Sequence, residues 1–235
     1  MTTPIFVFSE DEPATVKNVA TMALEIIEAG LESAGTFHLA LTGGRTGNLL
    51  SRLLAEEFTD DPERFRGLHI WWGDERFVSS ESDERNDFAL RTNLDPKTRI
   101  HLHPVLPPED VKDVETSAKR YNADLHGIEL DLSILGVGPD GHVASLFPQL
   151  WNEEEGKSAI AVINSPKPPA TRVSLSMRKI NSSQRVWLLA CGENKRDVVK
   201  GIRANDLELP VNHVNALLET LVFIDDSSSP KGGSD

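Results

Sequence analysis

The sequence predicts an α/β protein of three layers (α/β/α), in which helices cover both faces of a mostly parallel, Rossmann-like sheet. Short apolar runs alternate along the chain with segments whose apolar residues recur at helical spacing. Glycine-rich and polar motifs directly follow several of these runs, where sheets of this kind bind ligands. No linker or internal repeat divides the chain, so we expect one domain over residues 1–226 and a disordered polar tail over 227–235.

The first half of the chain predicts three strands, each followed by a polar segment. Asp11 and Pro13 are residue types that begin a helix, and the apolar residues from Val16 to Leu31 repeat behind them at helical spacing. A second helix should run from the loop after the second strand to about Phe58. The predicted strands are Ile5–Phe8, Phe37–Leu41 and Leu68–Trp72.

The second half of the chain continues the alternation. We expect a helix over about Glu109–His126, another that begins near His142 and a third that follows Lys195. A proline-rich turn, Pro166–Pro169, separates two of the strands. The predicted strands are Leu132–Leu135, Ala159–Ile163, Arg172–Ser176, Val186–Ala190 and Leu221–Ile224.

The composition is that of a water-soluble globule, with 39% hydrophobic and 26% charged residues. No apolar run approaches the roughly 20 residues that span a bilayer, and the first residues lack the pattern of a secretory signal. Cys191 is the only cysteine, so an intramolecular disulfide is excluded. We therefore expect a cytoplasmic protein without a membrane partner. The expected assembly is a monomer or a small homo-oligomer.

The formal net charge of −13 argues against nucleic acid as a partner, because phosphate backbones bind dense cationic surfaces. It also constrains any site for an anionic ligand. Such a site must gather a few arginine and lysine side chains locally, against the field of the whole molecule.

The segment Gly43, Gly44, Arg45 and Thr46 follows the second strand and precedes a helix. Glycines allow backbone N–H groups to point at an anion, and the N-terminus of the helix adds partial positive charge. A strand-to-helix turn that needs glycines only for its geometry fits the pattern equally well. The spacing is not that of the nucleotide P-loop.

Gly136, Gly138 and Gly141 match the letters of a dinucleotide-binding fingerprint. The match lies deep in the chain, Pro139 stands where the turn should close on a pyrophosphate, and the next strand lacks the acidic residue that holds a ribose. We therefore expect no nicotinamide or flavin cofactor.

Asp140 and His142, which lie in the same segment, are candidates for acid–base chemistry. Histidine is the natural general base near neutral pH, and a nearby carboxylate fixes its tautomer and stabilises the imidazolium. A lone histidine at a helix start usually has a capping role. The glycine-rich position after a strand favours the functional interpretation here.

Asp74, Glu75 and Arg76 follow the third strand and fit a paired-carboxylate site, a metal site or a salt-bridged loop. The seven histidines contain no His-x-x-x-His pair and no cysteine pair is available, so we expect no zinc site. Lys195, which follows a strand at the start of a helix, is well placed to reach a phosphate as a point charge.

Four segments together resemble 6-phosphogluconolactonases, which belong to a superfamily shared with glucosamine-6-phosphate deaminases. The resemblance spans roughly residues 5–224, with the motifs in the order of the family, and Gly136–Pro148 is its most specific part. The segments are Leu41–Thr46, Trp72–Val78, Leu135–Pro148 and Arg172–Ser176.

The resemblance implies hydrolysis of 6-phospho-D-glucono-1,5-lactone to 6-phosphogluconate in the oxidative pentose phosphate pathway, without a cofactor. By position in the motifs, His142 is the general base and Asp140 supports it. Asp74 contacts sugar hydroxyls and Arg76 helps to bind the anionic substrate. The implied phosphate-binding residues are Gly43, Gly44, Arg45, Thr46, Arg172 and Lys195.

Two positions depart from the family pattern. Many relatives have Ser-Asn-Tyr where this chain has Arg85, Asn86 and Asp87, and Arg45 replaces the serine or other small residue often seen in the phosphate loop.

Two rival functions fit parts of the same pattern. Sister deaminases typically read Asp-Gly-His-Ile-Ala-Phe-Asn-Glu-Pro, whereas Asp140–Pro148 has no carboxylate after the histidine, which favours the lactonase. A non-catalytic sugar-phosphate sensor would not need Asp140 and His142 as a pair.

Overall fold

The computed structural model describes residues 4–148, 150–151 and 156–230. Seven of its strands form one sheet in which all neighbours are parallel, in the order β1-β10-β9-β6-β2-β3-β5. Strands β4, β8 and β7 form a second sheet. The strands are β1 Ile5–Ser9, β2 Phe37–Leu41, β3 Leu68–Trp72, β4 Asp74–Arg76, β5 His101–Leu102, β6 Leu132–Gly136, β7 Ala159–Val162, β8 Arg172–Leu175, β9 Arg185–Leu189 and β10 Glu219–Asp225.

Helices cover both faces of the large sheet, so the predicted three-layer α/β fold is confirmed. Side chains alternate along each strand: Leu39 of β2 packs in one apolar cluster, while its neighbour Ala40 packs in the cluster on the opposite face. The helices are α1 Glu12–Ala34, α2 Gly44–Asp60, α3 Phe88–Arg91, α4 Val114–Asp124, α5 Met177–Asn181 and α6 Arg196–Arg203. Two short 3₁₀ segments, Glu193–Lys195 and Pro210–His213, accompany them.

The two apolar clusters divide the helices between the faces. One cluster contains buried residues of α1, α2 and α3, and the other contains those of α4, α5, α6 and the small sheet. None of the helices in the described part of the chain is long and apolar enough to cross a membrane.

Helix α1 begins as its sequence predicts. The Asp11 carboxylate accepts a hydrogen bond from the backbone N–H of Ala14 at 2.8 Å, and Pro13 occupies the first turn. This cap fixes the direction in which the helix leaves β1, and it holds Glu12, the first helical residue, beside the start of α2.

The small sheet is antiparallel and was not foreseen as a separate unit. Strands β7 and β8 were predicted, but they pair with each other and with β4 instead of joining the large sheet. The register places Asp74 opposite Ser174 and Arg76 opposite Arg172. This pairing brings the Arg172 side chain next to Asp74.

Three expectations about element bounds need correction. The helix expected near His142 is absent, because the chain there makes short antiparallel bridges from Val143 to Val137 and Leu146. Helix α4 begins only at Val114, because the Asp113 side chain caps it. Of the predicted tail, residues 231–235 lie outside the described residues, while Ser228 is buried and hydrogen-bonded to Asp225.

Four histidine rings lie close together across β2, β3 and β5. The rings of His69 and His101 stack at 4.5 Å, His69 Nδ1 lies 2.9 Å from His103 Nε2, and His38 Nδ1 accepts a hydrogen bond from Trp71 at 3.1 Å. Burial, together with the charge of the neighbouring imidazoles, lowers the pKa of His38 and His103 to about 4. In the folded protein the rings of His38 and His103 therefore resist protonation.

Candidate active site

A cleft of about 710 Å³ opens at the carboxyl ends of the strands of the large sheet, as expected for an open α/β fold. Nine of the ten residues predicted for the site line it, and the tenth, Asp140, contacts one of these nine, His142. The nine residues are Gly43, Gly44, Arg45, Thr46, Asp74, Arg76, His142, Arg172 and Lys195.

Asp140 and His142 form a hydrogen-bonded pair. His142 Nδ1 lies 2.5 Å from Asp140 Oδ1, and Lys167 Nζ lies 3.4 Å from the same oxygen. Burial alone would raise the pKa of Asp140, but the hydrogen bond from His142 and the charge of Lys167 outweigh it, so this pKa falls below its usual range. Because an ionised carboxylate can only accept, the contact with Asp140 favours the tautomer of the neutral imidazole that carries its proton on Nδ1 and leaves the lone pair on Nε2.

Gly138 leaves the space that this pair occupies. A Cβ atom at this position would lie 1.9 Å from His142 Nδ1 and 2.5 Å from Asp140 Oδ1. Any side chain at residue 138 would therefore displace the imidazole. One glycine of the rejected dinucleotide fingerprint thus has a packing role beside the pair.

The glycine loop after β2 lies at the other end of the cleft. Gly43 is the N-cap of α2, so the N-terminus of that helix faces the cleft. A Cβ on Gly43 would lie 1.7 Å from Asn86 Oδ1, so glycine is required for the loop to approach Asn86. Arg45 forms an ion pair with Glu12 at 3.0 Å, and Thr46 Oγ1 donates to the other oxygen of Glu12 at 2.5 Å.

Lys195 ends the short 3₁₀ segment after β9 and lines the cleft. Burial lowers its pKa to about 8, and the positive charges of Lys167 and Arg45 act in the same direction. No carboxylate among the described residues pairs with it, so its charge is available to a ligand.

Asp74 lies at the centre of a buried hydrogen-bond network. Its Oδ1 accepts from Asn86 Nδ2 at 3.0 Å, and its Oδ2 accepts from Ser145 Oγ at 2.6 Å and lies 3.5 Å from Arg172 Nη1. Asn86 Nδ2 also donates to the Asp74 carbonyl at 2.7 Å. The carboxylate oxygens that were expected to bind sugar hydroxyls are therefore already engaged by the protein.

Arg172 has a positioning role in this structure. Its guanidinium donates to the carbonyls of Lys167, Pro168 and Pro169 at 3.0–3.2 Å, and it is 5% exposed. These bonds hold the proline-rich turn against Asp74, and the turn carries Lys167 toward Asp140. The structure thus places Arg172 in the cleft wall with its donors already occupied by protein acceptors.

A family model for glucosamine-6-phosphate isomerases/6-phosphogluconolactonase matches residues 10–223. The chain belongs to this family.

Known family members resemble the chain over nearly its whole length. It is 34% identical to a 6-phosphogluconolactonase of Streptomyces coelicolor, with 97% of this chain and 94% of the relative covered. It is 30% identical to one of Mycobacterium leprae, with 98% and 99% covered. The crystal structure of a Thermotoga maritima 6-phosphogluconolactonase superposes with a TM-score of 0.82 at 27% identity, covering 95% of this chain and 100% of the other.

Residues 85–87, where the sequence departs from the family pattern, contribute to a buried network of ion pairs. Arg85 bonds both oxygens of Asp87 at 2.8–3.1 Å and the carbonyl of Val105 at 2.8 Å. Glu75 lies 3.6 Å from Arg85 and accepts three backbone N–H groups, yet burial raises its pKa to about 7. Asp74–Arg76 fitted a paired-carboxylate site, a metal site or a salt-bridged loop. The ion pair of Glu75 with Arg85 agrees with the third of these interpretations.

Several side chains of this family site were not singled out from the sequence. Lys167 lies in a proline-rich turn, Ser145 within the motif that contains His142, and Glu12 at the start of α1. Only Ser145 lies in a recognisable motif, and nothing local in the sequence indicates that Lys167 or Glu12 reaches the cleft. Among the described residues, no group of three or more His, Cys, Asp or Glu side chains is arranged to hold a metal ion.

Proposed function

We propose that this protein hydrolyses 6-phospho-D-glucono-1,5-lactone to 6-phosphogluconate, a step of the oxidative pentose phosphate pathway. The observation that carries the proposal is that the Asp140–His142 pair shares one cleft with the glycine loop at residues 43–47 and with Lys195. A general base at one end and an anion site at the other suit a phosphorylated sugar lactone. The relatives from Streptomyces coelicolor and Mycobacterium leprae, both named 6-phosphogluconolactonase, support the same activity.

The reaction requires one proton to be moved twice. His142 Nε2 takes a proton from water, and the hydroxide formed attacks the lactone carbonyl carbon. Asp140 accepts the Nδ1 hydrogen bond and stabilises the imidazolium. The tetrahedral intermediate then collapses, the bond to the ring oxygen breaks, and the imidazolium returns its proton to that oxygen as the C5 hydroxyl. Neither an electron acceptor nor a metal-bound water is needed for the atoms to balance.

The far end of the cleft holds the phosphate in this proposal. The N-terminus of α2, Thr46 and Lys195 offer backbone, hydroxyl and ammonium donors that converge on the same region. Arg76 also lines the cleft and adds positive charge, while its guanidinium donates to the carbonyl of Glu84. Binding the phosphate away from the reacting carbon fixes the lactone relative to His142.

The position of Phe147 favours the lactonase over the sister deaminase activity. The sister enzymes typically have a glutamate at the matching place in the motif, five residues after the histidine. Here the buried ring of Phe147 packs against the His142 ring, with centroids 4.6 Å apart. Proton transfer between carbons needs a second acid–base group, whereas lactone hydrolysis needs only an activated water.

The test is lactone hydrolysis by the wild type and His142→Ala under conditions in which spontaneous ring opening is slow. We expect kcat to fall at least about 10²-fold, the usual contribution of a general base. His126→Ala, which removes an exposed imidazole outside the cleft, is the matched control and should behave as the wild type. Equal turnover by the two variants would remove His142 from its role, and no turnover by the wild type would refute the function.

We also propose that the protein works in the cytoplasm, as a monomer or small homo-oligomer. The single cysteine, Cys191, is buried and free, which suits a reducing compartment.

A further inference from the structure

Glu12 occupies the donors of the phosphate loop in the structure. Its two carboxylate oxygens have separate partners, since Oε1 accepts from Thr46 Oγ1 at 2.5 Å and Oε2 pairs with Arg45 Nη2 at 3.0 Å. The Glu12 side chain is 15% exposed and lines the same cleft as the loop. A carboxylate that bridges a guanidinium and a hydroxyl makes the contacts that two oxygens of a phosphate would make.

The position of Glu12 looks unfavourable for a site that binds an anion. A negative charge beside the loop repels a phosphate dianion and reduces the attraction of Arg45 for it. The charge is not needed to cap α1, because Asp11 already accepts the hydrogen bond at that N-terminus. Arg45 and Glu12 form an ion pair at 3.0 Å, so the loop carries both a cation and the acid that neutralises it.

We propose that Glu12 is a tethered anion that occupies the phosphate-binding side chains of the free protein and is displaced by the phosphate of the substrate. The proposal rests on the function given above and adds a specificity-determining residue to it. Glu12 and the phosphate compete for Arg45 and Thr46, so only a ligand that offers more charge than a carboxylate gains these contacts. Arg45, whose side chain is 70% exposed, can rotate from one partner to the other.

Competition predicts the sign of a mutational effect. Glu12→Gln removes the charge while keeping the size of the side chain, so we expect 6-phosphogluconate and inorganic phosphate to bind between about twofold and fivefold more tightly, the range of a partly exposed ion pair. Unphosphorylated gluconate should bind unchanged. In an Arg45→Gln background, the gain from Glu12→Gln should be smaller, because one of the two contested partners is missing.

Glu193→Gln is the matched control. Glu193 also lines the cleft, but it pairs with Arg196 at 3.2 Å, and among the described residues no hydrogen bond or ion pair is found between Glu193 and the loop. The Glu193→Gln substitution removes one negative charge from the same cleft, as Glu12→Gln does, but it leaves the ion pair between Arg45 and Glu12 in place. Dissociation constants are measured by calorimetry at one pH and ionic strength, with thermal unfolding as a check that each variant is folded.

Three results would overturn the proposal. Weaker phosphate binding by Glu12→Gln would show that Glu12 orients Arg45 and Thr46 for the ligand. Equal gains in Glu12→Gln and Glu193→Gln would show a general effect of charge. Absence of phosphate binding in all variants would show that the loop is not an anion site. Lactone turnover by the wild type is scored separately, so failure of the enzymatic function would be distinguishable from failure of this proposal.

Discussion

We predict that Lys195 makes phosphate binding depend on pH in a range where arginine does not titrate. Its ammonium is partly buried in the cleft near Lys167 and Arg45, and its pKa is lowered from 10.5 to about 8. A lysine with a lowered pKa loses its charge as the pH rises through that value. We therefore predict that affinity for 6-phosphogluconate falls between pH 7 and pH 9.

The size of the effect follows from the pKa. With a pKa of about 8, the ammonium of the free protein is about 90% protonated at pH 7 and about 10% protonated at pH 9. Bound phosphate stabilises the charged form and raises the pKa of Lys195 in the complex, so the complex stays protonated over this range. Linkage then predicts that Kd rises about tenfold from pH 7 to pH 9. The phosphate is already a dianion throughout, because its second pKa is about 6.

The assay is calorimetric titration with 6-phosphogluconate at half-unit steps of pH and constant ionic strength. The product is used because the lactone opens spontaneously. Lys195→Arg keeps a permanent charge and should flatten the profile, whereas Lys195→Ala should weaken binding at pH 7 and also flatten it. In Lys167→Met, affinity should fall at a higher pH than in the wild type, because the positive charge of Lys167, which lowers the pKa of Lys195, is removed. Gluconate should show no dependence on Lys195.

Three outcomes of the titration would contradict the proposed role of Lys195. A Kd that is constant from pH 7 to pH 9 in the wild type would mean that Lys195 either keeps its charge or does not contact the phosphate. A slope of equal size in Lys195→Arg would assign the titration to another group. Equal losses for 6-phosphogluconate and gluconate in Lys195→Ala would show that Lys195 does not distinguish phosphorylated ligands.

Three further predictions concern the cleft and the histidine cluster. Gly138→Ala should lower kcat at least about 10²-fold with little loss of secondary structure, because its Cβ would displace the His142 ring; circular dichroism and steady-state kinetics together test this. Asn86→Leu should lower kcat/KM about tenfold, since Asp74 loses a donor, and an unchanged value would deny Asn86 a positioning role. The unfolding free energy of the wild type should fall as the pH drops from about 6.5 to about 4, because the unfolded chain protonates its histidines first. His103→Gln should remove about 1 kcal/mol of that loss after allowance for solvent screening, as measured by urea denaturation at several pH values.

Six of the seven strands of the large sheet could be predicted from the sequence because their signals are local, whereas the two-residue edge strand His101–Leu102 was not predicted. Each run such as Phe37–Leu41 is apolar, short and followed by a polar turn, so its identity as a buried strand depends on no distant residue. The same holds for the start of α1, where Asp11 and Pro13 lie next to the helix that they cap. The shared edge of the sheet then brought the predicted ligand loops into one cleft.

What the sequence did not indicate depends on contacts between distant segments. Lys167 lies near Asp140 in a turn whose carbonyls accept hydrogen bonds from Arg172. Nothing near Asp74 in the sequence indicates that β4 leaves the large sheet to pair with β8, 98 residues away. The helix predicted to begin near His142 was wrong for the same reason. The alternation of strands and helices predicted a helix there, but the chain forms a turn whose His142 ring lies against Gly138.

The balance of charges in the cleft explains why one lysine carries so much of the expected discrimination. Five cations and five carboxylates line the cleft in the described part of the chain, so the site gathers no net charge against the −13 of the whole protein. Three of the cations already form ion pairs: Arg45 with Glu12, Arg172 with Asp74, and Lys167 with Asp140, which does not itself line the cleft. Arg76 donates to a backbone carbonyl. Lys195 alone among these five has neither a carboxylate nor a carbonyl partner for its side chain within the described residues, so in the proposed complex the phosphate gains its charge without displacing a protein group.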